Sequence, residues 1–392
     1  MGFSKDDVEG ISAALGEPSW LLDRRYEAWD LFEKLELPGE KEEPWRYTNL
    51  ARLKFKLDNF NAAGPVHQRL RAEPIDGVIF TDIATALAKH EDLVKQYLFT
   101  QIDASGHIFD ALHAAIFNGG YFLYVPRGVS VEVPLELSAT PGSLHNLIVV
   151  EEGAEVTLFE RNTGNDDLAL DNSATEIFAG QASRVSAVSL QQFGKATWQF
   201  NTIRARLDRD VTLRHLVVVL GGRFSRSEVE TTMTAQGGDV QMHGLYFASA
   251  GQHFDFRTLQ DHAGPHCTSD LLYKGALRDD AHTVYSGLIH VRPEGQETDA
   301  YQTNRNLVLS DHAKADSKPE LEIENNDVRC SHGASVGQLN EDEIFYLVSR
   351  GIPRPEAEHL IVNGFFEEVA GRVSNEQIKA TVSEAIERKM NA

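Results

Sequence analysis

The chain has 392 residues, 42% hydrophobic and 24% charged, which is ordinary for a globular protein large enough for two or three domains. Its formal net charge of −22 would repel phosphate backbones and anionic lipid heads, so we expect neither nucleic-acid binding nor a membrane-surface role. No apolar run has the length of a signal peptide or a membrane span. With two cysteines and no CxxC motif, the expected location is a reducing compartment, the cytoplasm.

Helical spacing of apolar residues dominates the first part of the chain, which we predict to be a helical domain over residues 1–100. The predicted helices cover residues 6–15, 20–37 and 82–94. Gly64-Pro65 predicts a break between the second and the third.

The segment EPWRYT, residues 43–48, is an unusual aromatic motif in which Arg46 is placed to stack or to form an ion pair. The simpler interpretation is an anchor that docks the N-terminal part onto the core, and we favour it. This interpretation gives the segment a structural role.

From residue 101 to 335 the pattern changes to short segments rich in Val, Leu, Ile, Phe and Thr, separated by Gly, Asp and Asn, as strands and turns are. Turn-then-strand units begin near residues 154, 182, 210, 239, 281 and 313, at similar steps except for a longer one between 239 and 281. Such a repeat favours a parallel β-helix, with a β-sandwich as the alternative. The longest step predicts an excursion or an extra turn around residues 262–277.

Residues 336–392 are predicted to be a C-terminal helical domain. Asn340 can cap its first helix, a second helix is predicted over residues 355–371, and Ser374 with Gln377 suggests a capping box for a third. The apolar residues of the first helix are expected to face inward: Ile344, Phe345, Leu347 and Val348.

The third C-terminal helix carries a one-sided apolar stripe of Ile378, Val382 and Ile386. A one-sided stripe has to be covered by another surface. That surface is either the second C-terminal helix or a partner chain.

Cys330 and His332 are the most suggestive candidates for a chemical role. If residues 328–332 form a strand, the two side chains project from the same face. A thiolate with an imidazole suits iron, zinc or the edge of a cluster, but two ligands do not complete a site. The alternative is a buried cysteine beside a hydrogen-bonded histidine, which the spacing alone favours.

His262, His266 and Cys267 form a second group of donor residues. Adjacent residues of an extended chain point in opposite directions, so His266 and Cys267 face one pocket only if Pro265 introduces a turn. A structural role is the favoured interpretation of this group.

Nucleotide-binding motifs are missing from the sequence, which has no GxxxxGK[ST] and no GxGxxG, and nucleophilic catalysis finds little support in it. The carboxylates of Asp279-Asp280 and of residues 341–343 could serve a carbohydrate-active β-helix enzyme. They are better explained as a solvated turn and the first turn of a helix. We therefore expect no catalytic residues.

Three long segments, residues 266–277, 289–323 and 327–352, resemble the SufB/SufD family of iron–sulfur cluster assembly proteins. The segment PWRYTNL, residues 44–50, and the length near 400 residues most resemble the SufD branch. The resemblance implies a mainly β fold, with a right-handed parallel β-helix core between α-helical N-terminal and C-terminal domains. It also implies a non-catalytic scaffold subunit that helps nascent Fe–S cluster formation and iron acquisition.

The implied partners are a SufC-like ATPase, which docks on the C-terminal helices, and a SufB-like scaffold, which pairs with the end of the β-helix. His332 resembles the SufD histidine implicated in cluster formation at this interface, Cys330 is its neighbouring thiol, and Cys267 is a weaker candidate. The Fe–S cluster would be transient and shared with the partner, no nucleotide would bind this chain, and no pattern identifies a flavin site. A homodimeric SufB-like scaffold, a homodimer of the isolated chain, a purely structural subunit and a carbohydrate-active enzyme stay open as alternatives.

Overall fold

The computed structural model describes residues 2–62 and 66–392, so the predicted break at Gly64-Pro65 lies outside the described residues. The α-helices are α1 (Lys5–Leu15), α2 (Ser19–Phe32), α3 (Ile83–Lys89), α4 (Glu91–Tyr97), α5 (Ile108–Ile116), α6 (Glu341–Ser349), α7 (Arg354–Ala370) and α8 (Glu376–Met390). The strands are β1 (Gln68–Arg71), β2 (Ile79–Asp82), β3 (Tyr121–Val125), β4 (Leu135–Ala139), β5 (His145–Val150), β6 (Glu155–Thr163), β7 (Ala169–Ala179), β8 (Arg184–Gln192), β9 (Thr197–Leu207), β10 (Thr212–Val219), β11 (Phe224–Met233), β12 (Asp239–Ala248), β13 (His253–His262), β14 (Thr268–Leu277), β15 (His282–Val291), β16 (Thr298–Val308), β17 (Lys314–Ile323) and β18 (Val328–Gly337).

The strands form two nine-stranded sheets that face each other as a β-solenoid of about seven turns. The first sheet has the order β1-β4-β6-β8-β10-β12-β14-β16-β18, and the second has the order β17-β15-β13-β11-β9-β7-β5-β3-β2. From β3 onward each strand pairs in parallel with the strand two further along, so one coil contributes one strand to each sheet. The predicted solenoid is confirmed and the β-sandwich alternative is wrong, while the predicted handedness stays a prediction.

The excursion predicted around residues 262–277 is wrong, because the coils are regular there. β12 begins at Asp239, and its partner β14 begins one coil later at Thr268 in the same sheet. Residue 281 precedes β15, which belongs to the opposite sheet. The apparent long step from 239 to 281 therefore compared strand starts on two different sides of the solenoid.

The N-terminal part differs from its prediction in four respects. α2 ends at Phe32, and the predicted helix over 82–94 is two helices that meet at His90. The sequence pattern does not predict α5, because its nine residues, all buried, are fewer than the roughly 11 over which a helical period becomes readable. In addition, β1 and β2 pair antiparallel with strands of the solenoid. The limits of the three predicted domains stay a prediction.

The C-terminal helices lie close to their predicted positions. The Asn340 side chain caps α6 by accepting a hydrogen bond from the Asp342 N–H. The capping box predicted from Ser374 and Gln377 is wrong, since Asn375 caps α8 through bonds from the N–H groups of Gln377 and Ile378.

The outer faces of the two sheets are covered by different helices. The N-terminal helices pack against outward residues of the second sheet such as Trp198 and Phe200. The apolar stripe of α8 packs, together with α7, against outward residues of the first sheet such as Leu216 and Val218. The stripe is thus covered within the chain and needs no partner.

Candidate functional site

The last coil of the solenoid, formed by β17 and β18, ends both sheets. Within residues 2–62 and 66–392, β17 pairs only with β15 and β18 only with β16. Each strand is ten residues long and leaves one row of backbone N–H and C=O groups without a strand partner. We call the surface formed by β17 and β18 the open end.

Cys330 lies on β18 and faces the interior of this last coil. It is opposite Ala300 in the ladder and packs against a small apolar cluster that includes Ile289 and Val291. This burial raises the pKa of the Cys330 thiol, and the Asp299 carboxylate acts in the same direction. The thiol is therefore protonated at neutral pH, and a bound cation would have to displace its proton.

His332 lies two residues further along β18 and is exposed. Its ladder neighbour Gln302 is fully buried and donates a hydrogen bond from Nε2 to the Gly287 carbonyl. Because Ala300 and Gln302 are both buried, Cys330 and His332 share the inward side of β18, roughly 7 Å apart at Cα. The structure therefore brings together the two residues singled out from the sequence.

The second group of donors is separated by the fold. Cys267 is fully buried, and its thiol donates to the carbonyl oxygens of Ala235 (3.3 Å) and Pro265 (3.4 Å). His266 adopts a left-handed φ of 56°, which turns it to the outside, whereas His262 is buried. Burial raises the pKa of the Cys267 thiol. Strand β16 lies between β14, which Cys267 precedes, and β18, so Cys267 is not brought to the Cys330–His332 pair.

The segment 43–48 docks on the second sheet, as the anchor interpretation predicted. Trp45 is 2% exposed, and the Arg226 guanidinium lies over its ring at 3.8 Å from the centroid. Arg46 itself is exposed and lies 3.9 Å from the Glu43 carboxylate. The buried aromatic of the motif, and not its arginine, makes the attachment.

An exposed apolar surface on α6 was not foreseen from the sequence. Of the four residues expected to face inward, Phe345 is 73% exposed and Val348 is 42% exposed, and their neighbour Tyr346 is 56% exposed. The sequence did contain a signal of this exposed surface, because the apolar residues within 344–348 occupy more than one side of a helix and cannot all face inward. We call Phe345, Tyr346 and Val348 the α6 surface.

The geometry can now be compared with known proteins. Residues 138–365 match the family model "SUF system FeS cluster assembly, SufBD core domain", and residues 58–137 match "SufBD protein N-terminal region". The chain belongs to the SufBD family of iron–sulfur cluster assembly proteins. The residues of the open end are inside the first of these matches.

Relatives over the whole length place this SufBD protein on the SufD side of the family. It is 32% identical over 433 residues to the iron–sulfur cluster assembly protein SufD of Bacillus subtilis, covering 100% of this chain and 98% of the relative. It is 32% identical to a SufBD family protein of Mycobacterium tuberculosis, covering 98% and 95% of the two chains. A SufBD family protein of Synechocystis is 28% identical, with coverage of 91% and 88%. The SufD-like assignment made from sequence segments is confirmed.

The same matches leave the carbohydrate-active alternative without support, because both models describe SufBD proteins. In the described part of the chain, no helix is both long and apolar enough to cross a membrane.

Proposed function

We propose that this SufD-like protein is a non-catalytic subunit of an iron–sulfur cluster assembly complex. In this proposal the open end pairs with a SufB-like scaffold, and the C-terminal helices bind a SufC-like ATPase. Cys330 and His332 then help to hold a nascent cluster at the junction. The observation that carries the proposal is the position of both residues on β18, the last strand of the first sheet, whose outer edge has no strand partner among the described residues.

An unpaired edge is a natural surface for pairing with another chain. Ten-residue strands with free backbone groups accept a further strand readily unless charge, proline or a covering element prevents it. β18 carries a single charged residue, Arg329, and an apolar residue, Val336, that is 49% exposed. A second β-solenoid that docks end to end would continue the first sheet from β18 and bury both features, whereas the proline and the charged side chains of β17 disfavour strand addition to the second sheet.

The donor chemistry supports a shared site. Cys330 and His332 supply one sulfur and one nitrogen, whereas an iron–sulfur cluster needs about four ligands. The partner subunit must therefore provide the others, and the cluster is cargo that this chain holds transiently. We infer no nucleotide site in this chain, and no residue pattern identifies a flavin site.

The α6 surface is the part of the C-terminal helices that we assign to the ATPase. The stripe of α8 is covered by the solenoid, so the exposed large apolar residues of the C-terminal helices are Phe345, Tyr346 and Val348 on α6 and Leu360 on α7. Only residues 338–340 separate β18 from α6. A movement of α6, caused when ATP binding closes the partner ATPase subunits, would therefore pull directly on the strand that carries Cys330 and His332.

The proposed location is the cytoplasm. Cys267 and Cys330 are both free thiols, which persist in a reducing compartment.

The test is anaerobic co-expression of the chain with SufB-like and SufC-like partners, followed by sizing and an absorption spectrum. We expect co-elution of all three chains and visible cluster absorption, which His332→Ala and Cys330→Ser lower at least several-fold. His312→Ala, an exposed histidine in a turn, serves as the matched control and should leave the spectrum unchanged. Phe345→Ser should release the ATPase but not the SufB-like chain.

Other results would replace the proposal with one of the alternatives. Co-elution with undiminished cluster absorption in both site variants would leave a purely structural subunit. A stable self-dimer that holds a cluster without partners would indicate a homodimeric SufB-like scaffold. Failure to associate with either partner would refute the assembly role itself.

A further inference from the structure

A separate group of metal-ligating side chains lies on the outer face of the second sheet, beside the open end. His290 is on β15, Glu322 is directly beside it in the ladder on β17, and Glu324 follows β17 by one residue. One potential ligand atom from each of the three lies within 4.8 Å of the others. We call His290, Glu322 and Glu324 the corner cluster, because the chain turns here from the second sheet into β18.

The distances in the corner cluster are compatible with a shared cation. His290 Nε2 lies 3.6 Å from a Glu324 carboxylate oxygen, which is too long for a hydrogen bond. Two ligands that each lie about 2.1 Å from one metal ion are separated by about 3.0 to 3.4 Å at octahedral or tetrahedral angles. Small rotations of two exposed glutamate side chains would bring the three donors onto one ion.

A buried carboxylate lies behind the imidazole. His290 Nδ1 lies 3.6 Å from the Asp261 carboxylate, which is 3% exposed at its side chain. Arg292 fixes this carboxylate through two hydrogen bonds of 2.9 Å and 2.7 Å. The Asp261 carboxylate thus lies on the Nδ1 side of the ring, and the Nε2 side faces the Glu324 carboxylate.

We propose that the corner cluster binds one divalent first-row transition-metal ion such as Fe²⁺. Two carboxylates balance the charge of the ion, and the imidazole favours a transition metal over Mg²⁺ or Ca²⁺. The two glutamates are exposed, so solvent or a donor can fill the remaining coordination positions. The carboxylate oxygens of the corner cluster are harder donors than the Cys330 sulfur. The corner cluster therefore suits an isolated metal ion, whereas Cys330 and His332 suit the edge of an iron–sulfur cluster.

The position of the corner cluster gives the site a use, and this part rests on the proposed function. Only residues 325–327 separate Glu324 from the start of β18, the strand that carries Cys330. An Fe²⁺ ion held at the corner would therefore be stored next to the junction where a cluster forms.

The experiment is a metal titration of the full chain, alone and anaerobic, with CoCl₂ as the spectroscopic probe. It is performed in the Cys330→Ser, His332→Ala double variant, which removes the other donor pair. We expect one equivalent of Co²⁺ to bind, to be displaced by Fe²⁺, and to bind at least tenfold more weakly in His290→Ala and Glu322→Gln. The matched controls are His312→Ala and Glu320→Gln. Glu320 faces outward two residues before Glu322 and forms an ion pair with Lys318.

Circular dichroism establishes that each variant is folded, and Glu324→Gln provides a further substitution at an exposed position. Equal Co²⁺ affinity in His290→Ala and the controls would overturn the proposed site, as would loss of all binding in the Cys330, His332 double variant. The outcome is independent of partner binding and cluster yield, so the site can stand if the assembly role fails and can fail if the assembly role stands.

Discussion

Replacing Trp45 by alanine should detach the N-terminal segment from the second sheet. The indole is 2% exposed, and its ring lies 5.9 Å from that of Phe109 and 6.5 Å from that of Phe200, centroid to centroid. The Arg226 guanidinium stacks above it at 3.8 Å. One substitution therefore removes a buried apolar contact and a cation–π contact together.

The expected cost is about 4 kcal/mol. Burial of about 200 Å² at about 25 cal/mol per Å² corresponds to about 5 kcal/mol, and measured tryptophan-to-alanine costs in cores are about 3 to 5 kcal/mol. The Arg226 charge stays paired with Asp255 (2.5 Å) and Glu228 (2.7 Å), so no penalty for an isolated buried charge is added.

The assay is urea unfolding followed by circular dichroism, together with hydrogen exchange of peptides that cover residues 43–62. Tyr47→Ala is the matched control, since this aromatic lies in the same segment but is 38% exposed, and it should cost under about 1 kcal/mol. The reasoning is refuted if Trp45→Ala and Tyr47→Ala cost the same. It is also refuted if residues 43–62 keep their exchange protection in Trp45→Ala.

Three further outcomes follow from burial. Val382→Ala should lower stability by about 2 kcal/mol in thermal unfolding, whereas Phe345→Ala should change it by less than about 0.5 kcal/mol, and equal losses would contradict the assigned packing. Alkylation at pH 8, followed by mass spectrometry, should label Cys330 slowly and Cys267 only after unfolding. Burial raises the pKa of both thiols, and Cys267 is also inaccessible to solvent. Labelling of Cys267 in the native protein would disprove this. Burial lowers the pKa of His262 from 6.5 to about 4. The contribution of this neutral histidine to the free energy of unfolding is therefore complete above pH 6.5, and up to about 3 kcal/mol of it is lost as the pH falls to 4. His262→Asn should flatten the pH dependence of the unfolding free energy in that interval, and an unchanged slope would show that this histidine is not the cause.

The repeating architecture could be predicted from the sequence because each coil has to bury an inward row of side chains at the same place. Strand starts near residues 154, 182, 210 and 239 recur at nearly constant steps, and the ladder follows them, with Arg184, Thr212 and Asp239 side by side. The prediction failed where such local signals are weak or mixed. α5 is too short, at nine residues, for its helical period to stand out, and residue 281 precedes a strand of the opposite sheet.

The candidate site, too, has features that the sequence determined and features that only the tertiary structure decided. The spacing of Cys330 and His332 by itself determined that they share one face of one strand, since side chains alternate along a strand. Only the tertiary structure decided that this strand ends its sheet, and that Cys267 is closed off.

The pairing of His290 with Glu322 was also decided only by the tertiary structure, because Glu322 lies a full coil further along the chain. The physical reason is that neighbours across coils are fixed by the register between strands. That register is the sum of all the strand and turn lengths around a coil, so no short segment of the sequence contains it.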